Sequence, residues 1–194
     1  MLALVAIPVA AAASTATPMG TAKVAAAGVS LKYPKSWFVT TLTKDGFAAL
    51  AGIVTKKNPR LAAQVGSVDV SQFKFYALDL LGGSTVAVGV ERGAGSPTSV
   101  AEWRAGMKQD MPSGATLTSA KAVTINKKTA YRADLTLPVV TPAGTTIAIH
   151  NAELYLLTRG STDNGDATVI DVSVIDSPAG TRTIDSILGS VHHI

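Results

Sequence analysis

The sequence predicts an α+β fold in which helices pack on an antiparallel sheet. Two features carry that expectation. Runs of alternating apolar and polar residues fill the second half and are separated by turn residues, the pattern of hairpin-connected strands. Early helices, a run of antiparallel strands and a closing helix are the order of an α+β chain.

The elements follow in order. Val29, Leu31 and Tyr33 alternate with Ser30 and Lys32, so a half-buried strand opens the folded part near Gly28. Pro34 ends its ladder, and Trp37-Phe38-Val39 resumes an extended run. Asp45-Gly46 marks a helix start, and Phe47, Leu50 and Val54 fall on one face of that helix. Asn58-Pro59 predicts a restart, because Asn caps well and the missing N–H of Pro costs nothing at the first helical position. Leu61, Ala62 and Val65 then face inward. Strands over residues 73–77 and 84–90 flank Gly82-Gly83, whose glycines supply the positive φ of a turn. Val86, Val88 and Val90 make one apolar face.

Ser99-Val100-Ala101-Glu102 forms a capping box, in which serine and glutamate satisfy each other's backbone N–H groups. Val100, Trp103, Met107 and Met111 continue one stripe, and Pro112 and Gly114 stop the helix. That spacing reads as a core-facing stripe, not as a ligand surface. Val123 and Ile125 lead into the turn Asn126-Lys127-Lys128. On the return, Tyr131, Ala133, Leu135 and Leu137 alternate with Arg132, Asp134 and Thr136, which predicts a strand with one wet face. Ile147 and Ile149 share one parity and Leu154 and Leu156 the other, which predicts a bulge or bend near His150-Asn151. After the turn cluster Thr162-Asp163-Asn164-Gly165-Asp166, Ile170, Val172 and Val174 alternate with Asp171 and Ser173. Ser177-Pro178 then starts a closing helix carrying Ile184, Ile187, Leu188 and Val191 on its apolar side.

The chain of 194 residues suits one domain with a real core, and 47% hydrophobic with 15% charged residues argues against disorder in its bulk. With no cysteine, disulfides, thiolate metal sites and thiol catalysis are excluded. The net charge of +4 is dispersed; the pairs Lys56-Lys57 and Lys127-Lys128 have no stacking aromatics between them, so no nucleic acid is expected as a partner. Residues 1–13 contain an apolar run with the length of a signal-peptide core, too short to span a membrane, and no later segment reaches spanning length. Residues 14–27, rich in Ala, Thr, Ser and Pro, read as a disordered linker, and 28–194 as a single folded domain. Export, with no transmembrane helix in the mature form, is the expectation.

A search for chemistry assigns no catalytic, cofactor-binding or metal-ligating residue. Gly82-Gly83-Ser84-Thr85-Val86 and Gly93-Ala94-Gly95-Ser96-Pro97 both fail the nucleophile-elbow pattern, and no phosphate-binding loop occurs. His192 and His193 are adjacent beside the C-terminus, where fraying is expected, and lack zinc spacing. Asp163-Asn164-Gly165-Asp166 lacks the ligand spacing of a calcium loop. Arg132 with Asp134, and Asp171 with Ser173, share a strand face and read as solvent-side pairs. His150 near Glu153 is the one internal histidine–carboxylate neighbourhood, and it defines the rival reading, a hydrolase or transferase using those two residues.

The order of elements resembles the PsbP-like family, and most closely its actinobacterial secreted LpqN-type branch. The resemblance rests on Val29-Ser30-Leu31-Lys32-Tyr33-Pro34-Lys35-Ser36-Trp37, Asn58-Pro59-Arg60-Leu61-Ala62 and Phe75-Tyr76-Ala77-Leu78-Asp79 before the Gly-Gly turn. The capped helix from Ser99 to Met111 and Ile184-Asp185-Ser186-Ile187-Leu188-Gly189-Ser190 add to it. It implies an α/β/α sandwich around a central antiparallel sheet, and non-catalytic accessory or partner-binding roles. Many LpqN-type members carry a lipobox cysteine; this sequence has none, so free secretion is expected. Together these readings predict an exported binding protein of the cell envelope, without a cofactor, acting on a protein, glycan or lipid partner.

Overall fold

The computed structural model describes residues 17–40, 42–58, 73–91, 97, 99–140, 144–157 and 166–194. Strand β1 (Met19–Val24) leads through a 3-10 turn (Ala25–Ala27) into β2 (Val29–Pro34) and the short β3 (Phe38–Val39). Helix α1 (Lys44–Lys57) is followed by β4 (Phe73–Leu78), β5 (Thr85–Glu91) and helix α2 (Val100–Asp110). Then come β6 (Thr116–Ile125), β7 (Lys128–Val140), β8 (Thr146–Leu157) and β9 (Ala167–Ile175). Helix α3 (Pro178–Leu188) and β10 (His192–His193) close the chain. The strands form a seven-stranded sheet of order β3-β4-β5-β9-β8-β7-β6 and a three-stranded sheet of order β1-β2-β10, antiparallel throughout. The mixed α+β class is therefore as the alternation predicted, and the large sheet dominates it.

Strand parity sorts the core. On one face, Val86 and Val88 of β5, Leu154 and Leu156 of β8, and Ile170, Val172 and Val174 of β9 pack with Ile184, Ile187 and Leu188 of α3. Val29 and Leu31 of β2 join that cluster. On the other face, Phe47, Leu50 and Val54 of α1 meet Tyr76, Leu78 and Ala87, while Trp103 of α2 meets Ala120, Tyr131, Ala133 and Tyr155. Each large apolar side chain so buried contributes roughly 1.5–3 kcal/mol.

Local signals hold the ends. Ser99 Oγ accepts the Glu102 N–H at 3.1 Å, and Ser177 Oγ accepts the Gly180 N–H at 3.0 Å with Pro178 starting the helix. The cap of α1 is Thr43, whose Oγ1 accepts the Gly46 N–H at 3.1 Å; Asp45 lies in its first turn. Asn126 (φ 50°) and Lys127 (φ 65°) both adopt the left-handed conformation, so β6 and β7 are joined by a two-residue turn matched to sheet twist.

Several expectations are corrected. Residues 17–27 are not a linker: β1 pairs with β2 over six residues, and the Ala27 carbonyl accepts the hydroxyl of the buried Thr168 at 2.7 Å. The low-complexity composition of this stretch hid a strand whose ladder and turn are satisfied only by distant partners. No register shift occurs near His150-Asn151, where β8 pairs continuously with β7 and β9. Shifts lie instead at Phe73/Phe75 and Leu117/Ser119. The apolar parity changes along β8 because its apolar residues lie on opposite faces at its two ends: Leu154 and Leu156 are buried on the α3 side, whereas Ile149 is half-buried on the other, beside Leu137 and the exposed Ile175. The presumed wet face of β7 is covered as well, since Asp134 is only 7% exposed. His192 and His193 do not fray. They pair with Ser30 and Val29, and the His193 N–H donates to Asn126 Oδ1 at 3.3 Å. Burial, with Lys128 nearby, lowers the His193 pKa. The expected helix at Pro59 to Val65 and the cluster Thr162 to Gly165 lie outside the described residues, as does Gly93 to Ser96. Asn58 itself ends α1, and its side-chain amide donates to the carbonyls of Leu80 and Leu81 at 3.3 and 3.2 Å.

Candidate functional site

The strand order places β9 and β8 at the middle of the large sheet. On the face that carries α1 and α2, α1 covers β4 and β5, and α2 covers β6 and β7. Between the two helices the floor is made by odd-numbered residues of β8 and β9. Successive cross-strand rows read Thr85–Ser173–Asn151–Leu135, then Ala87–Asp171–Glu153–Ala133, then Gly89–Val169–Tyr155–Tyr131. The middle row sets two carboxylates directly opposite each other with an alanine on either side. Small neighbours leave space above them, and a cleft of about 580 Å³ opens there. Trp103, Met107 and Met111 of α2 line it, with Glu102 and Asp110; Glu91, Asn151, Glu153, Tyr155 and Asp171 line it from the sheet. A second hollow of about 430 Å³, bounded by Phe73, Tyr76 and Val90, shares Glu91 and Asp171 with it.

The polar floor is ordered by hydrogen bonds. The Asn151 amide donates to both oxygens of Asp171, at 2.9 and 3.0 Å, and to Ser173 Oγ at 2.8 Å. Ser173 in turn donates to Asp171 Oδ1 at 3.3 Å. Burial raises the Asp171 pKa, and these donors oppose that rise. Glu153 has no such donors among the described residues. Burial first, and then the negative charges of Asp171, Glu91 and Asp110, push its pKa up to about 7. Burial and the Asp171 charge push Tyr76 up to about 12, and burial with Glu91 and Glu153 raises Tyr155. At neutral pH the cleft thus holds, in Glu153, a carboxyl near half-protonation beside the hydrogen-bonded side chain of Asp171, whose own pKa burial also raises.

This arrangement has a measurable consequence. Unfolded, Glu153 ionises near the usual carboxylate value; folded, it keeps its proton to about pH 7. Below about pH 4.5 both states hold the proton and no stability is at stake. Between there and about pH 7 the unfolded chain loses it first, so stability falls as pH rises, by about 3 kcal/mol in full. Glu153→Gln mimics the protonated form. Its urea midpoint is expected to match the wild type at pH 4.5 and to exceed it at pH 8; equal midpoints at pH 8 would refute the burial of this charge.

The sequence pairing of His150 with Glu153 is overturned. The two differ in parity and stand on opposite faces of β8. His150 Nε2 instead donates to Asp134 Oδ1 at 3.1 Å. Asp134 also receives Arg132, from Nε at 3.2 and 3.1 Å and from Nη2 at 2.7 Å, and Arg132 Nη1 reaches Asp185 of α3 at 2.9 Å. Arg132 and Asp134 are thus a pair, as their spacing suggested, but one sealed under α3. Asp171 and Ser173 likewise bond to each other, at the floor of a cleft and not on a solvent face. Asn151, read only as the site of a bend, organises that floor. The methionine–tryptophan stripe of α2 does two jobs: Trp103 packs on the sheet, and its neighbours Met107 and Met111 border the cleft. One signal could have found the site. Glu153 and Asp171 share the parity of Tyr155 and Val169, so each interrupts an inward-facing stripe.

No group of three or more ligating side chains able to hold a metal occurs among the described residues, and no helix among them is long and apolar enough to cross a membrane. No family model matches the sequence, and no curated protein matches it. Solved structures do. The solution structure of the cyanobacterial PsbP protein of Synechocystis sp. PCC 6803 aligns over 93% of this chain and 95% of its own, with 13% identity and a TM-score of 0.53. LpqN of Mycobacterium tuberculosis, involved in cell envelope biogenesis, aligns over 90% and 84%, with 11% identity and a TM-score of 0.53. The Ran-binding protein Mog1p of Saccharomyces cerevisiae aligns over 91% and 96%, with 10% identity and a TM-score of 0.51. At these identities the likeness supports a PsbP-like fold and nothing narrower.

Proposed function

We propose that this protein is an exported, non-catalytic binding or accessory protein of the cell envelope, of the LpqN type, whose ligand site is the cleft beside α2, above β8 and β9. The observation that carries the reading is the composition of that cleft. Its wall is aromatic and thioether, and its floor is a hydrogen-bonded set of carboxyl, amide and hydroxyl groups, with no histidine among the described residues that line it. Such a mixture of apolar wall and few convergent polar groups is what ligand sites are made of. The only internal histidine lies on the opposite face, engaged with Asp134. Proteins with this fold include one that binds Ran and one involved in cell envelope biogenesis, which supports a binding role for this chain and an envelope setting. We read the architecture as an α/β/α sandwich, with α1 and α2 on one side of the large sheet and α3 on the other. The partner is a protein, glycan or lipid outside the cytoplasm; nucleic acid is not one.

A second reading rests on one observation, the facing pair Glu153 and Asp171 with the former raised to about 7. Two facing carboxyls with pKa values raised by burial are the kind of groups that serve acid–base chemistry such as glycoside hydrolysis. It replaces the rival that used His150. Purified protein is expected to show no turnover on glycoside, ester, phosphoester and peptide substrates, and secreted material is expected to begin at or before Pro18, since the Pro18 carbonyl accepts the Lys35 N–H at 2.9 Å ahead of β1. A glycosidase rate that collapses in Glu153→Gln would establish the second reading; a mature start beyond Val24 would contradict the strand, and retention of the whole chain inside the cell would contradict export.

A further inference from the structure

We propose that the cleft beside α2, above β8 and β9, binds a small organic cation, an ammonium group carried on an apolar body. The inference rests on the reading of that cleft as the ligand site and adds the charge and class of its ligand.

The charge distribution points there first. The chain is positive overall, by +4, yet five of its thirteen acidic residues line this one cleft: Glu91, Glu102, Asp110, Glu153 and Asp171. Among the described residues, no lysine, arginine or histidine lines it. The ion pairs among the described residues lie on the other face, at Arg132, Asp134, His150 and Asp185. Glu91, Asp110, Glu153 and Asp171 enter none of them. Like charges set opposite each other on neighbouring strands oppose folding, so a row that holds Glu153 against Asp171 is better satisfied with a cation above it than without one. Low-dielectric walls concentrate that field inside the cleft.

The wall supplies the second observation. Trp103 and Tyr155 stand with ring centroids 4.8 Å apart, and Met107, Leu135 and Leu137 extend the apolar surface. An ammonium group near aromatic faces is attracted by their quadrupoles, and its hydrocarbon body is suited to the remaining wall. Trp103 is only 8% exposed, and its indole N–H has no acceptor among the described residues. A buried donor calls for an acceptor, which an ammonium group is not, so this N–H marks the wall as incomplete and leaves its own partner to an acceptor atom elsewhere.

Size and spread exclude a bare metal ion. A space of about 580 Å³ is that of a small-molecule site, and the carboxylates are distributed along it instead of converging on one point. The ammonium would sit over the middle row of the floor, with its body toward α2.

The test uses three matched probes on the full chain labelled with nitrogen-15: 2-phenylethylammonium, 2-phenylethanol and phenylacetate, at pH 7.5 and low salt. The ammonium is expected to shift the amides of Asn151, Glu153, Asp171 and α2, and to bind at least tenfold more tightly than the alcohol, with no binding of the anion. Glu153→Gln, which preserves shape, is expected to weaken it about tenfold, whereas Asp45→Asn, which removes an exposed carboxylate from α1, leaves it unchanged. Acidification from pH 8 to pH 5.5 is expected to weaken it also, as Glu153 takes up its proton amid Glu91 of β5, Asp171 of β9, Glu102 and Asp110 of α2 and Tyr155 beside it. Equal binding of alcohol and ammonium in the cleft would overturn the cation assignment and leave the binding-site reading standing. Shifts confined to other surfaces, or none at all, would overturn the assignment outright. Hydrolysis that depends on Glu153 would instead overturn the non-catalytic reading.

Discussion

Arg132→Ala is expected to destabilise the protein by about 3–5 kcal/mol, the range for removing one partner of a buried ion pair. The side chains of Arg132 and Asp134 are 15% and 10% exposed. Burial by itself favours the neutral guanidine, but the hydrogen bonds and charges of Asp134 and Asp185 outweigh it and raise the Arg132 pKa. Without Arg132, Asp134 would keep only the His150 contact, and α3 would lose its tie to β7 through Asp185. The cost comes from the stranded carboxylate more than from the lost attraction. The double variant Arg132→Met/Asp134→Leu is therefore expected to be more stable than Arg132→Ala, because apolar groups of similar size leave nothing unpaired. Urea unfolding at pH 7 measures both. A single variant within about 1 kcal/mol of wild type would show that water reaches Asp134 under α3.

Trp103→Ala is expected to cost about 3–5 kcal/mol, as for other large aromatic truncations in a core. Trp103 anchors α2 to the sheet, packed against Tyr131 at 6.0 Å and Tyr155 at 4.8 Å between ring centroids. Nothing else on α2 is as deeply buried; Val100 and Met107 are only partly covered. The neighbours cannot collapse into the space, because they are held in the sheet ladder and Tyr131 is fixed by its hydroxyl, which donates to the Pro97 carbonyl at 3.0 Å. Trp103→Phe separates packing from polarity. Since the indole N–H has no acceptor among the described residues, no hydrogen bond is lost with it, and a cost below about 1.5 kcal/mol is expected. A Phe variant as unstable as the Ala variant would mean that the N–H does have a partner that the native fold depends on.

Much of the fold was legible because its signals are local. The Ser99 and Ser177 caps need only three residues of sequence, and both are found. Phe47, Leu50 and Val54 are buried as helical spacing requires, and so are Ile170, Val172 and Val174 as alternation requires. The strand Met19–Val24 was missed because its residues carry no alternation of their own; its pairing partner β2 and the contact of Ala27 with Thr168 define it. The parity change in β8 was seen but misread, because one sequence cannot tell a slipped register from a strand whose apolar residues lie on opposite faces at its two ends.

The candidate site divides along the same line. The sequence by itself determined the α+β class, the parity of each strand residue, and the isolation of His150 as the only internal histidine. Parity alone was enough to separate His150 from Glu153, since residues three apart in a strand point to opposite faces. Only the tertiary structure decided which carboxylates meet. Asp171 stands beside Glu153 because the consecutive strands β8 and β9 pair antiparallel in a register that sets the two in one cross-strand row, and β5, distant in the chain, closes β9 on its other side. Whether those carboxylates face water or a cleft depends on where α1 and α2 land. The sealed Arg132–Asp134 pair and the cleft-lining Glu153–Asp171 pair look alike in sequence, as charges within alternating strands. Helix α3 covers the first on its face of the sheet, whereas the second lines the cleft beside α2 on the other, because burial is a property of packed layers and not of the strand that carries the charge.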